Sequence, residues 1–102
     1  MDKVEALNIA HKYVNYLKNN NYDIVKALLF GSYARDNFNY DNDIDLALVF
    51  KKLDNKFYTQ VKLLTLTTMF DTRIEPHPIE EKELSEGNPY IYNIFKYGIE
   101  II

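Results

Sequence analysis

The hydrophobic pattern begins with a helical stripe. Val4, Leu7, Ala10, Val14 and Leu17 recur at a spacing close to 3.6, so a helix is predicted over about Lys3 to Lys18. Asp2 is placed to cap it, with Glu5 at the capping-box position, and Asn19-Asn20-Asn21 ends it. Ile24 to Phe30 is almost continuously apolar, with Lys26 its only charge, and predicts a strand covered on both faces. Gly31-Ser32 follows and opens a short helix at Tyr33-Ala34-Arg35, and residues 37–42, rich in turn formers, predict a loop. A second strand starts at Asp43 and runs to Phe50. Asn55 to Met69 predicts a helix with Phe57, Val61, Leu64 and Thr68 on its inner face. Asp71 to Pro76 predicts a third strand, with Asp71, Arg73 and Glu75 on one face. Asn88 and Pro89 start a last helix that turns Ile91, Ile94 and Phe95 inward and closes at Gly98. The apolar tail Ile99 to Ile102 is expected to dock on the body or on a partner. The order is α-β-α-β-α-β-α, an α+β (α/β) fold with a small mixed sheet and packed helices, in one domain spanning residues 1–102.

Charge and composition narrow what such a domain does. A net charge of -3 implies no general affinity for nucleic acid. With no cysteine there is neither a disulfide framework nor a thiolate ligand or nucleophile, which fits a cytoplasmic protein. No apolar run approaches the ~20 residues of a membrane span.

The chemistry concentrates between residues 31 and 45. Strand alternation puts Asp43, Asp45, Ala47 and Val49 on one face, and Ile44, Leu46, Leu48 and Phe50 on the other. Two carboxylates so placed are roughly 6.5 Å apart along a strand. They repel, and a divalent cation between them is the usual remedy. Gly31 permits close approach of a ligand to the backbone, and the N–H groups of a helix starting at Ser32 favour an anion such as phosphate. Arg35 is in reach of such a phosphate or of Asp36 and Asp41. A calcium loop starting at Asp41 is excluded, because its sixth and twelfth positions are Leu46 and Lys52 rather than glycine and glutamate. A pair of metal ions needs a third carboxylate, for which the residues alone leave Glu75 and Asp71 open. His11 has no ligand partner at i±4, and His77, two residues after Glu75, is placed to lean into the cleft, although a lone histidine before a proline is more often structural.

Gly31-Ser32, ten residues, then Asp43-x-Asp45 resembles the signature of the DNA polymerase β-type nucleotidyltransferases. The fuller strings GSYAR and DIDLALV resemble the minimal nucleotidyltransferases, many of which are antitoxins of HEPN-domain toxins. The resemblance implies an ATP-dependent transferase with two Mg²⁺ ions held by Asp43, Asp45 and Glu75, the last because RIEPHPI is similar to the segment carrying the family's third acid. It implies that Gly31, Ser32 and Arg35 hold the triphosphate, and that AMP passes to a tyrosine of a HEPN toxin. Two positions depart from the family's commoner pattern: glutamate stands at 75 for aspartate, and Asn42 for serine. The competing readings are a non-catalytic antitoxin and transfer to a small hydroxylated molecule such as an aminoglycoside, for which a second domain is the usual cleft.

Overall fold

The computed structural model describes residues 2–31 and 43–102. The elements are α1 (Lys3–Asn19), β1 (Ile24–Phe30), β2 (Ile44–Phe50), α2 (Lys56–Leu66), a 3₁₀ turn (Thr67–Met69), β3 (Ile74–Glu80), a second 3₁₀ turn (Glu81–Ser85), α3 (Pro89–Tyr97) and β4 (Ile99–Glu100). The strands form one mixed sheet in the order β3-β2-β1-β4. β1 is antiparallel to both β2 and β4, and β2 is parallel to β3. The mixed α+β architecture is thus as expected; the expected helix at Tyr33 lies outside the described residues.

The sheet buries both faces. Leu29, Ile44, Leu46, Leu48 and Ile74 pack beneath α1 and Leu63 of α2, while Leu28, Ala47, Val49 and Ile79 pack against Ile91 and Ile94 of α3. The Asp2 side chain accepts from the Glu5 N–H at 2.8 Å, which caps α1. Tyr13 is fully buried and donates its hydroxyl to the Leu63 carbonyl at 2.7 Å, tying α1 to α2. Burial and the neighbouring Tyr22 push its phenol far above the ordinary range.

Several expected details are corrected. On α1 the buried stripe is Ala6, Ala10, Tyr13, Val14 and Leu17, with Val4 exposed. The α2 face is reversed: Phe57, Val61, Leu64 and Thr68 point to solvent, and Leu63 and Thr67 point inward. Of the two docking places expected for the tail the structure shows the body: Ile101 is buried in the core and the Ile101 N–H donates to the Ala27 carbonyl at 2.7 Å. β3 starts three residues later than predicted and runs past Pro76 and Pro78 to Glu80. Proline is tolerated there because, among the described residues, β3 is an edge strand with a partner on one side only. Gly98 ends α3 in an extended conformation (φ -72°) instead of a left-handed one. What requires glycine is space, since a Cβ would collide with the Ile94 carbonyl oxygen and lie 3.2 Å from that of Leu29.

Candidate functional site

The α3-side face of the sheet carries the polar cluster at one end. Within β2 and β3, Asp45 pairs with Glu75, Ala47 with His77 and Val49 with Ile79, in parallel register. Alternation therefore lines up Asp45, Glu75 and His77 at the end of that face and leaves Val49 and Ile79 in the core below it. One ligand atom from each of Asp45, Glu75 and His77 falls within 4.8 Å of the other two. Asp43 is exposed, one residue before β2, and its charge bears on Glu75.

The electrostatics are unfavourable without a cation. A hydrogen bond to Asp45, which favours the protonated form, is the leading cause holding the Glu75 carboxyl above the usual carboxylate range. Partial burial and the negative charges of Asp43 and Asp45 push the same way. Asp71 behaves oppositely. It accepts from Arg73 Nε at 2.9 Å, Arg73 Nη2 at 2.7 Å and the Arg73 N–H at 2.9 Å, and these hydrogen bonds hold its carboxyl below the ordinary range. The structure thus brings Asp43, Asp45 and Glu75 together and gives Asp71 to Arg73.

Gly31 closes the site from β1. Its φ of +76° is in the left-handed region, and a Cβ there would meet Asp45 Oδ2 at 2.5 Å. The constraint differs from the expected one: beyond leaving a ligand room, glycine leaves room for the Asp45 carboxylate itself. Ser32 and Arg35 lie outside the described residues, as do Tyr33, Tyr40 and Asn42.

Two further side chains stand at the site: His77, which the sequence allowed to lean into the cleft but favoured as structural, and Tyr90, which it did not place there. His77 Nε2 lies 3.2 Å from Asp45 Oδ1, and the ring meets Phe30 edge-on with centroids 5.1 Å apart. The signal was present, because His77 shares Glu75's face at i+2; the prolines on either side hid the strand. Tyr90 of α3 also meets Phe30 edge-on, 6.1 Å between centroids. Its phenol is raised by partial burial first, then by the charges of Asp45 and Glu75, which places it by the acids. A cleft of about 160 Å³ opens beside the cluster, lined by His77 and Tyr90 together with Lys56, Gln60 and Asn88. No helix among the described residues is long and apolar enough to cross a membrane.

Residues 11–102 match the family described as Polymerase beta, Nucleotidyltransferase. No curated protein matches the chain. Among solved structures, a protein from Sulfolobus solfataricus described as a candidate nucleotidyltransferase is similar at TM-score 0.66 and 22% identity, over 82% of this chain and 75% of that one. A toxin–antitoxin structure with AMP-PNP is similar at TM-score 0.57 and 17% identity, over 90% and 72%. A complex of tri-AMPylated Shewanella oneidensis HEPN toxin with MNT antitoxin is similar at TM-score 0.53 and 18% identity, over 98% and 71%. At these identities the likeness is one of fold.

Proposed function

The chain belongs to the polymerase beta nucleotidyltransferase family, and on that premise we propose that it transfers AMP from ATP to a tyrosine hydroxyl of a HEPN-type toxin and so acts as its antitoxin. The observation that carries this reading is the crowding of Asp43, Asp45 and Glu75 at one end of the sheet, with Glu75 held above its ordinary pKa by the other two. An arrangement that costs stability when empty of positive charge fits a cation site, and an all-oxygen pair such as Asp43 and Asp45 fits Mg²⁺. Asp43, Asp45 and Glu75 would hold two divalent cations, which would neutralise the triphosphate and lower the pKa of the acceptor hydroxyl.

The remaining steps belong to the chain's own residues. Gly31 leaves the backbone open beside Asp45, and Ser32 and Arg35 follow it in sequence as the triphosphate's further contacts. The acceptor oxygen bonds to the α-phosphorus, the bond to pyrophosphate breaks, and the phenol proton is released. An acceptor brought by a protein with its own binding surface is supported by the fold neighbours, which include a complex with AMPylated toxin and a toxin–antitoxin structure with AMP-PNP. Silencing would follow from the bulk and charge added near the toxin's active site.

Intact-mass spectrometry of the toxin after incubation with ATP and Mg²⁺ tests this. The expected result is one or more added AMP units, and none with the Asp43→Asn/Asp45→Asn variant. A toxin that stays unmodified yet is fully inhibited in a stable complex overturns the enzymatic reading.

A further inference from the structure

The imidazole at the acid cluster is not explained by Mg²⁺ chemistry. Mg²⁺ takes oxygen ligands, whereas imidazole nitrogen suits transition ions. His77 Nε2 nevertheless lies 3.2 Å from Asp45 Oδ1, and both atoms share a 4.8 Å neighbourhood with a Glu75 carboxylate oxygen. Ligand atoms on adjacent corners of an octahedron with bonds of ~2.1 Å stand about 3 Å apart. The Asp45–His77 separation, which is that of a hydrogen bond, also matches two ligands on one ion. The imidazole is also held in place: its ring lies edge-on to Phe30 at 5.1 Å, and its strand position opposite Ala47 is set by the β2–β3 register. A histidine serving only as an ion-pair partner for Asp45 has no need of Glu75 at the same spot.

From this geometry we infer that His77 is a metal ligand, and that Asp45, Glu75 and His77 form a mixed oxygen–nitrogen seat that favours a divalent transition ion over Mg²⁺, with Mn²⁺ as its paramagnetic probe. The inference rests on reading the acids as a cation site and specifies which ion one seat takes. Two ions of different character then share the site: the seat containing His77 differs from the carboxylate-only environment of Asp43.

The test uses the full chain without nucleotide. Mn²⁺ binding is titrated by the EPR signal of the free ion, Mg²⁺ by competition, and the ligand set is read from ¹⁴N coupling to bound Mn²⁺ in pulsed EPR. The chain has only two histidines, so His11→Gln is a complete control. The wild type and His11→Gln are expected to show directly bound imidazole nitrogen. His77→Gln is expected to lose that coupling and to weaken Mn²⁺ by at least about tenfold, since even outer-shell partners of a metal are worth that much. Mg²⁺ affinity should change by less than about threefold, because imidazole is not its ligand. Wild-type Mn²⁺ bound without nitrogen coupling overturns the assignment of His77 and leaves the carboxylate site standing. The wild-type spectrum decides this whether or not the variant folds. Failure of the wild type to bind either ion overturns both this inference and the reading beneath it.

Discussion

Asp71 and Glu75 are four residues apart in one segment and have opposite surroundings. Asp71 is the better covered, at 14% side-chain exposure, and Arg73 meets it with both a side-chain fork and a backbone N–H. Glu75 is exposed, yet among the described residues the charges that shift it are those of two aspartates. A partly covered acid with its partner beside it is finished as structure. An acid set against other acids is stabilised only when something positive arrives. The difference comes from register: Glu75 enters the β2–β3 ladder opposite Asp45, whereas Asp71 lies ahead of the strand and folds back on its own neighbour.

The largest test removes the charges facing Glu75. Asp43→Asn/Asp45→Asn should cut AMP transfer by about a thousandfold, the scale of losing a site's main electrostatic groups. Its metal-free melting temperature should not fall, because like-charge repulsion is relieved. A large drop in the melt would place these aspartates with Asp71, as structure.

Next comes the exchange of the two acids' roles. Glu75→Gln should lower transfer by ~10²-fold in a single-turnover assay while raising metal-free stability. Asp71→Asn should leave transfer nearly unchanged. The reverse outcome would put the third ligand on the wrong acid.

Gly31→Ala sharpens the comparison from β1. The left-handed backbone alone should cost about 1–2 kcal/mol in a denaturant titration, and the displaced Asp45 carboxylate should weaken Mg²⁺ binding as well. Normal ion affinity in this variant would separate Gly31 from the acid site.

The smallest effect is in the pH dependence of stability, measured in chelator. Asp71 has a lowered pKa, so its contribution is fully present above the ordinary carboxylate value and is lost as pH falls through the lowered one. Asp71→Asn should flatten that acid limb and cost at most about 1 kcal/mol at neutral pH, as for other exposed pairs. Glu75 has a raised pKa, so its contribution is present below the ordinary value and is lost as pH rises through the raised one. Glu75→Gln should therefore remove a decline with rising pH. Curves of equal sign for the two variants would contradict the contrast.

Local patterns made part of this legible. The apolar runs of β1 and β2, the glycine between them and the alternation that puts Asp43 and Asp45 on one face all depend on near neighbours in the chain. What was not legible depends on packing at a distance. On α2, Leu63 and Leu64 compete for the inner face, and the Tyr13 hydroxyl that takes up the Leu63 carbonyl is fifty residues away. On α1, alanines at 6 and 10 face the core where the helix approaches the sheet closely, while bulkier Val4 stays outside. β4 adds only two residues to β1, too short a run for any period. His77 looked structural because Pro76 and Pro78 disguise a strand whose edge position the sequence does not declare.

Those two prolines also act as a ratchet on alignment. The Ile44 N–H donates to the Arg73 carbonyl at 2.8 Å, and in a parallel ladder of this phase the N–H groups of Glu75, His77 and Ile79 point at β2. Pro76 and Pro78, which have no N–H, then occupy the outward positions where none is needed. Sliding β3 by one residue would aim both prolines at β2 and deprive the ladder of two donors, while turning Glu75 and His77 under the sheet. A slip by two would restore the facing but set Pro76's neighbours a full pleat away from Asp45. Chains that mispair at this edge thus lose hydrogen bonds before they lose anything else, and single-residue insertions or deletions within Ile74–Glu80 should be purged as misfolded proteins, never surviving as folded but inactive ones.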